Sequence, residues 1–189
     1  MIDALGLSRG DTVVDLCCGS GQNFADLQRK VGSEGRIVGF DISSQMLAIA
    51  ADHAERHGWR NVELVEADVA DVVLPPDMRA AVSTFGLDIV PDVERIVTQI
   101  AAQMPTGTRL GLLGSQEPGG WPDWLVRFGI WLNSACDTER EHLSIRPDAT
   151  AARILDEATR HDFWWGIFYW SVCRKKGDGP AITTKDTGA

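Results

Sequence analysis

The segment from Asp15 to Asn23, with the sequence DLCCGSGQN, constrains the fold more than any other part of this chain. It follows the apolar run at 12–14 and precedes a helical pattern, so it predicts a strand that ends in an acid, a glycine-containing turn and a helix. The glycines, Gly19 and Gly21, let a ligand approach the backbone closely. An acid at the carboxyl end of a strand lies where open α/β sheets bind ligands. The segment therefore predicts a binding loop for a small ligand.

Strand-like and helix-like segments alternate along the first part of the chain. The predicted strands are 12–16, 36–40, 62–65, 80–85 and 109–113, and the predicted helices are 20–31, 44–58 and 91–104. This alternation is typical of a parallel sheet that helices cover on both faces. Right-handed crossovers place the carboxyl ends of such strands at one edge. Asp15, Asp41, Asp68 and the segment 85–88 each follow a predicted strand, so we expect them to meet there.

The second part of the chain is rich in aromatic residues. Helices are predicted from Asp123 to about Leu132 and at about 147–158, and an aromatic segment at 163–174 predicts two strands with a bend at Gly166. Residues 176–189 are rich in glycine, threonine and lysine, which predicts a disordered tail. We therefore expect a single domain over 1–175, with an insertion at 115–146 after the fifth strand.

The composition disfavours several classes of function. The chain has 18 Lys and Arg residues against 27 Asp and Glu residues, a formal net charge of −9, which disfavours nucleic-acid binding. It has no signal-peptide pattern and no apolar run long enough to span a bilayer, so we expect a cytoplasmic protein. The spacing of its cysteines matches neither a zinc site nor a disulfide framework, so we expect reduced thiols and no metal site. The four cysteines are Cys17, Cys18, Cys136 and Cys173.

Five segments, in this order and at this spacing, resemble the motifs of class I methyltransferases, which use S-adenosylmethionine (SAM). They are 13–21, 39–43, 66–69, 83–87 and 105–110. The resemblance covers about 5–114 and includes the final aromatic hairpin as a match to the family's seventh strand. It implies a doubly wound, mostly parallel seven-stranded sheet with an antiparallel C-terminal hairpin and helices on both faces. The segments 85–92 and 169–175 look most like the quinone and phospholipid methyltransferase branches.

The resemblance also implies a set of cofactor contacts. Asp41 would accept hydrogen bonds from both ribose hydroxyls, and Asp68 would accept one from the adenine amino group. The complete set of implied SAM-binding residues is Asp15, Cys17, Gly19, Gly21, Asn23, Asp41, Ile42, Met46, Asp68, Val69, Thr84 and Phe85. Each acid has a structural alternative, because Asp41 can cap a helix, Asp68 can hold a turn and Asp15 can brace the loop. Cys17 departs from the family, in which many members have glycine at this position.

The acceptor side of the site falls in the insertion, from which the family commonly builds its acceptor pocket. An aromatic wall is expected from Trp121, Trp124, Phe128 and Trp131. The alternatives are a helix packed on the sheet edge and a helix lying on a membrane surface. Methyl transfer from a sulfonium mainly requires in-line positioning and exclusion of water, and a base helps only when the acceptor is protonated. The candidate bases are Asp88 and His142, and for each the alternative is a solvated surface residue.

The sequence therefore predicts SAM-dependent methyl transfer, by in-line displacement, to an apolar or aromatic small molecule, with a homodimer as one arrangement. One alternative is a non-catalytic binding or assembly partner with the same fold. The other is an NAD(P)-dependent oxidoreductase, which is disfavoured because Phe24 stands where that loop needs a small residue. Only residues 1–11 precede the first predicted strand, whereas the family usually has a helical segment there that closes over the cofactor. An open site, closure by a partner subunit and a truncated chain all fit this difference.

Overall fold

The structure is a computed structural model that describes residues 1–117 and 145–176. The strands are β1 (Thr12–Leu16), β2 (Arg36–Asp41), β3 (Val62–Glu66), β4 (Met78–Thr84), β5 (Arg109–Ser115), β6 (Asp156–Phe163) and β7 (Phe168–Arg174). The α-helices are α1 (Phe24–Val31), α2 (Ser44–Arg56), α3 (Val93–Gln103) and α4 (Pro147–Ile154). Short 3₁₀ helices are formed by Ile2–Leu5 and Leu87–Ile89. These elements follow the alternation that the sequence predicts over its first five strands.

In the part of the chain that the structure describes, seven strands form one sheet in the order β3-β2-β1-β4-β5-β7-β6. The strands β1 to β5 pair in parallel, whereas β7 pairs antiparallel with both β5 and β6. This arrangement confirms the predicted fold class. Because β1 and β4 lie side by side between the two halves of the sheet, the chain reverses its direction of winding there. Doubly wound sheets bind ligands at the carboxyl ends of the two strands at such a switch point, here β1 and β4.

Two apolar clusters hold the layers together, one on each face of the sheet. Successive side chains of a strand face opposite sides, so Val13 belongs to one cluster and Val14 to the other. The cluster around Val13 contains residues of α1, α2 and the first 3₁₀ helix, and the cluster around Val14 contains residues of α3 and α4. All five side chains of β1 are buried, as expected for a central parallel strand.

The first helix begins later than the sequence predicts. Residues 20–23 form turns, and α1 starts at Phe24 because Gly19 and Gly21 have φ angles of 53° and 77°, which no right-handed helix allows. A Cβ atom on Gly21 would lie 2.5 Å from the Phe24 ring, and one on Gly39 would lie 3.1 Å from it. The two glycines therefore make room for a large aromatic ring beneath the loop.

The C-terminal elements differ most from the prediction. The predicted helix at 147–158 ends at Ile154, and the residues that follow it enter β6 instead. The predicted hairpin with its bend near Gly166 is confirmed, but its first strand ends at Phe163 rather than beginning there. The sequence of β6 is polar and lacks apolar alternation, because this strand lies at the edge of the sheet. The predicted Trp-rich helix, nearly all of the predicted insertion and almost the entire tail lie outside the described residues.

Candidate cofactor site

The carboxyl ends of β1, β2, β3 and β4 meet at one edge of the sheet, as the sequence predicts. The Gly19 N–H donates to the Asp41 carboxylate at 2.7 Å, which joins the loop after β1 to the end of β2. The Ala67 N–H donates to the Asp41 carbonyl at 3.0 Å, which places the end of β3 beside them. Asn23 connects the end of β1 to Thr84 at the end of β4. The site is therefore built from segments that are distant in sequence.

Asp41 lies at the centre of this edge and is half-buried. Its second carboxylate oxygen accepts a hydrogen bond of 2.9 Å from the Ser43 N–H. The N-cap of α2 is Ser43 itself, whose hydroxyl accepts from the Met46 N–H, so Asp41 is not the helix cap. A carboxylate has about four lone-pair positions, and two of them are used by backbone donors. Asp41 thus retains acceptor capacity for two hydroxyl groups.

Asp15 is fully buried and faces Asn23 rather than solvent. The Asn23 amide nitrogen donates to both Asp15 oxygens, at 3.0 and 3.2 Å, and its carbonyl accepts from the Thr84 hydroxyl at 3.2 Å. Burial raises the pKa of Asp15 to about 7; the Asn23 hydrogen bond opposes this shift, and the nearby Asp41 charge adds to it. This geometry favours the bracing role for Asp15, because its oxygens have no exposed surface to offer a ligand.

Cys17 occupies the position at which the resembling family often has glycine. Its φ angle is 55°, in the left-handed region that favours glycine. Gly86 lies directly against the Cys17 side chain, and a Cβ atom on Gly86 would overlap it. Burial raises the pKa of the Cys17 thiol to about 12, so the thiol is neutral at physiological pH. Cys17 therefore narrows the loop without adding charge, and Gly86 compensates for its size.

Three exposed apolar side chains surround the polar groups of this edge. Ile42, Met46 and Phe85 are 68%, 44% and 45% exposed. Met46 is exposed on α2, whereas Leu47, Ala50 and Ala54 of the same helix are buried. Apolar surface beside a few fixed polar groups is typical of a small-molecule site. The exposure of Ile42 and Met46 fits the predicted contact with adenine.

Asp68 and Val69 contribute to the edge in different ways. Asp68 is exposed, and one of its carboxylate oxygens accepts a hydrogen bond of 2.9 Å from the Ala70 N–H. This turn uses only one of the two Asp68 carboxylate oxygens. The Val69 side chain is buried in the core, so only its backbone can take part in binding. The turn role of Asp68 is present, and the adenine contact stays a prediction.

Asp88 is buried, so the alternative that it is a solvated surface residue is wrong. Its carboxylate accepts a hydrogen bond from the Ser115 N–H at 2.7 Å and another from the Tyr169 hydroxyl at 3.3 Å. Gly114 makes room for it, because a Cβ atom there would overlap both carboxylate oxygens. Burial raises the pKa of Asp88 to about 6, although both hydrogen bonds oppose this shift. The other candidate base, His142, lies outside the described residues, as do Trp121, Trp124, Phe128 and Trp131.

A partly buried ion cluster beside Asp88, centred on the buried carboxylate of Asp148, is absent from the sequence prediction. The Asp148 carboxylate accepts from the Arg146 guanidinium at 2.8 and 2.9 Å and pairs with Arg160 at 3.0 Å. The Arg160 guanidinium also lies over the Tyr169 ring, 4.9 Å from its centroid. Burial opposes ionisation of Asp148, but the Arg146 hydrogen bonds and the two guanidinium charges hold its pKa below the ordinary value. The sequence signal for this cluster is only an Arg-x-Asp at a helix start.

Comparison with known proteins identifies the family. A family model described as a methyltransferase domain matches residues 13–107, just over half of the chain. The chain belongs to the methyltransferase domain family. The matched region begins in β1 and includes the glycine-containing loop, Asp41 and Asp68, so it contains the edge described above. The predicted resemblance to class I methyltransferases is confirmed, and the oxidoreductase alternative loses its support.

Two relatives and one solved structure illustrate the similarity. The chain is 36% identical over 111 residues to 2-phytyl-1,4-naphtoquinone methyltransferase of Synechococcus elongatus, a match that covers 58% of this chain and 48% of that protein. It is 26% identical over 126 residues to demethylmenaquinone methyltransferase of Listeria welshimeri, covering 66% of this chain and 53% of that protein. A SAM-dependent methyltransferase structure from Aquifex aeolicus superposes with a TM-score of 0.65 at 17% identity, covering 91% of this chain and 86% of that one. The chain spans about half the length of the curated relatives it matches.

Proposed function

We propose that this protein binds SAM at the carboxyl edge of β1, β2 and β4 and transfers its methyl group to an apolar or aromatic small molecule of the quinone class. The main support is the Asp41 carboxylate, which is fixed by the Gly19 N–H at 2.7 Å beside the exposed side chains of Ile42 and Met46. A fixed acceptor next to apolar surface matches a ribose that carries an adenine ring.

The cofactor fits the residues of this edge. The free acceptor positions of Asp41 would receive the two ribose hydroxyls, and Ile42 and Met46 would cover the adenine faces. The second oxygen of Asp68 and the Val69 backbone would bind the adenine amino group and ring edge. Cys17, Gly19 and Gly21 would line the methionine part, where Asn23 is held in place by Asp15 and Thr84. Asp15 would act by positioning Asn23, because it is buried.

The reaction requires little covalent help from the protein. Bound SAM supplies a methyl group that is already activated on a sulfonium. With SAM bound, a bond would form between the methyl carbon and the acceptor atom as the carbon–sulfur bond breaks, which would leave S-adenosylhomocysteine (SAH), and any acceptor proton would pass to a base or to solvent. The protein's contribution is to hold the acceptor atom in line, about 3–3.5 Å from the methyl carbon, and to exclude water. A base role for Asp88 would require its carboxylate to become accessible, because both Asp88 and its hydrogen-bond donor Tyr169 are buried.

The acceptor class is supported by the names of the relatives and by aromatic residues beside the edge. The two relatives described above are named as methyltransferases of a phytyl naphthoquinone and of demethylmenaquinone. In this chain, Phe85 follows β4 and lies 5.7 Å from the ring of Phe168 at the start of β7. We propose that both rings line the approach of an apolar acceptor. The aromatic wall in the insertion, the single-domain boundary, the cytoplasmic location and the homodimer stay predictions.

The experiment that tests this function is calorimetric titration of the protein with SAH, followed by a transfer assay with methyl-labelled SAM. We expect saturable SAH binding and label transfer to a short-chain naphthoquinol, with no response to NAD(H). Binding without transfer to phenols, quinols, amines or lipids would support the non-catalytic alternative. Absence of SAH binding would overturn the proposal.

A further inference from the structure

The turn between β6 and β7 exposes a group of large aromatic side chains. We call residues 163–168, with the sequence FWWGIF, the hairpin tip. Phe163, Trp164 and Trp165 are 37%, 67% and 79% exposed. No side chain of the hairpin tip ionises. Monomeric soluble proteins rarely expose contiguous apolar surface of this kind, and where they do it marks an interaction site.

The backbone of the turn gives no reason for these residues. Trp164 and Trp165 have φ angles of 50° and 56°, and the Gly166 N–H donates to the Phe163 carbonyl at 3.2 Å. The loop has four residues between the paired Phe163 and Phe168, and left-handed positions in it favour glycine and asparagine over tryptophan. Two tryptophans at these positions are unfavourable for folding and gain little burial in return. Residues held in such conformations occur mainly where function requires them.

The hairpin tip is continuous with the candidate cofactor site. The Phe168 ring lies 5.7 Å from Phe163, 6.1 Å from Trp164 and 5.7 Å from Phe85. Phe85 follows β4 directly at the edge where the cofactor is proposed to bind. A row of aromatic rings therefore leads from the reaction site to the exposed end of the hairpin.

We propose that the hairpin tip inserts into the interfacial layer of a lipid bilayer, so that an acceptor with a long apolar tail reaches the site from the membrane. Tryptophan favours this layer because its indole combines apolar surface with a polar N–H. The net charge of −9 gives no attraction to anionic lipids, so the expected partner is a zwitterionic surface. Among the described residues, no helix is long and apolar enough to cross a membrane. This inference rests on the proposed function for its acceptor.

The test is sedimentation of the full chain with phosphatidylcholine vesicles. The variant carries Trp164→Asn and Trp165→Gly together, because this pair suits the turn and should fold at least as stably as the original. We expect the variant to partition about tenfold less or weaker still, without a lower thermal midpoint. The matched control is Val73→Ser, which removes an 81% exposed apolar side chain elsewhere and should leave partitioning unchanged.

Further measurements separate the alternatives. Equal partitioning of the variant and the original, absence of vesicle binding, or binding that requires phosphatidylserine would each overturn the inference. A loss of self-association in the variant by analytical ultracentrifugation, without loss of vesicle binding, would identify the hairpin tip as a contact between copies and would also overturn it. Titration with SAH distinguishes the two proposals. A protein that binds SAH and methylates a short-chain naphthoquinol but ignores vesicles retains its proposed function and refutes the membrane contact.

Discussion

Two residues with left-handed backbones lie at the ends of neighbouring strands. Cys17 follows β1 and Phe85 follows β4, and both have φ angles of 55°. A left-handed backbone costs a non-glycine residue about 1–2 kcal/mol. Here it turns the chain sharply at the two strand ends that flank the candidate site. Gly86 completes the arrangement because it leaves room for the Cys17 side chain.

The position of Cys17 should tolerate glycine but not a larger residue. We expect Cys17→Gly to change the free energy of unfolding by less than about 1 kcal/mol, because relief of the left-handed backbone offsets the lost packing. Cys17→Val should destabilise the protein by about 2 kcal/mol or more, since a β-branched side chain disfavours this φ angle and collides with Gly86. Urea unfolding of both variants measures the difference. Equal stability of the two would contradict the backbone argument.

Asp41 should matter more for cofactor binding than any exposed acid. We expect Asp41→Ala to weaken SAH binding by about tenfold or more, because two charged hydrogen bonds to the ribose and one to the loop are lost. The control is Asp52→Ala, which removes an exposed carboxylate that pairs with Arg56 on α2. Calorimetry on both variants gives the comparison, and urea unfolding checks that each is folded. Unchanged affinity in folded Asp41→Ala would remove this residue from the site.

Burial of Asp15 should make stability depend on pH. Its pKa is raised from an ordinary value of about 4 to about 7. The folded state therefore binds its proton more tightly than the unfolded state does, so the free energy of unfolding falls as pH rises from about 4 to about 7. Asp15→Asn should flatten this dependence and make the variant more stable than the original above pH 7. Urea unfolding across this range tests it, with exposed Asp52→Asn as the control. An unaltered pH profile would show that another group is responsible.

At the scale of elements, α4 is attached to the sheet by buried charge. Asp148, at the start of α4, binds Arg146 beside it and Arg160 on β6. Because these guanidinium groups also lie over Tyr169 of β7, one small cluster connects a helix with the two antiparallel strands. Tyr169 extends the connection to Asp88 and so to the loop after β4. These contacts therefore connect the antiparallel hairpin with the part of the sheet that contains the candidate site.

The Asp148 cluster should contribute more to the free energy of unfolding than the exposed ion pair that Arg153 of the same helix makes with Glu94. We expect Asp148→Ala to lower the free energy of unfolding by about 2 kcal/mol, because Arg146 loses its hydrogen-bonded carboxylate, although Arg160 retains Asp162. The control is Arg153→Ala, which breaks a pair with Glu94 whose side chains are 63% and 69% exposed and should cost less than about 1 kcal/mol. Urea unfolding measures both, and similar losses would show that burial adds nothing to this pairing.

At the scale of the whole molecule, the sequence predicts the elements whose positions depend on local apolar and turn patterns. The strands β1 to β5 follow from apolar runs and turn residues, and right-handed crossovers then bring Asp41 and the glycine loop to one edge. The start of β6 is missed because an edge strand need not alternate. The burial of Asp88 is missed because its partners, Ser115 and Tyr169, lie 27 and 81 residues away in sequence.

The hydrogen bonds that connect Gly19 with Asp41, and Asn23 with Asp15 and Thr84, use only groups of the protein itself. The entropy of ordering the loop is therefore lost once, when the chain folds, and not again at each encounter. Such a rigid receptor should take up its ligand in a single kinetic step, without a slow rearrangement. The Gly19 amide should accordingly exchange with deuterium slowly even in the ligand-free protein.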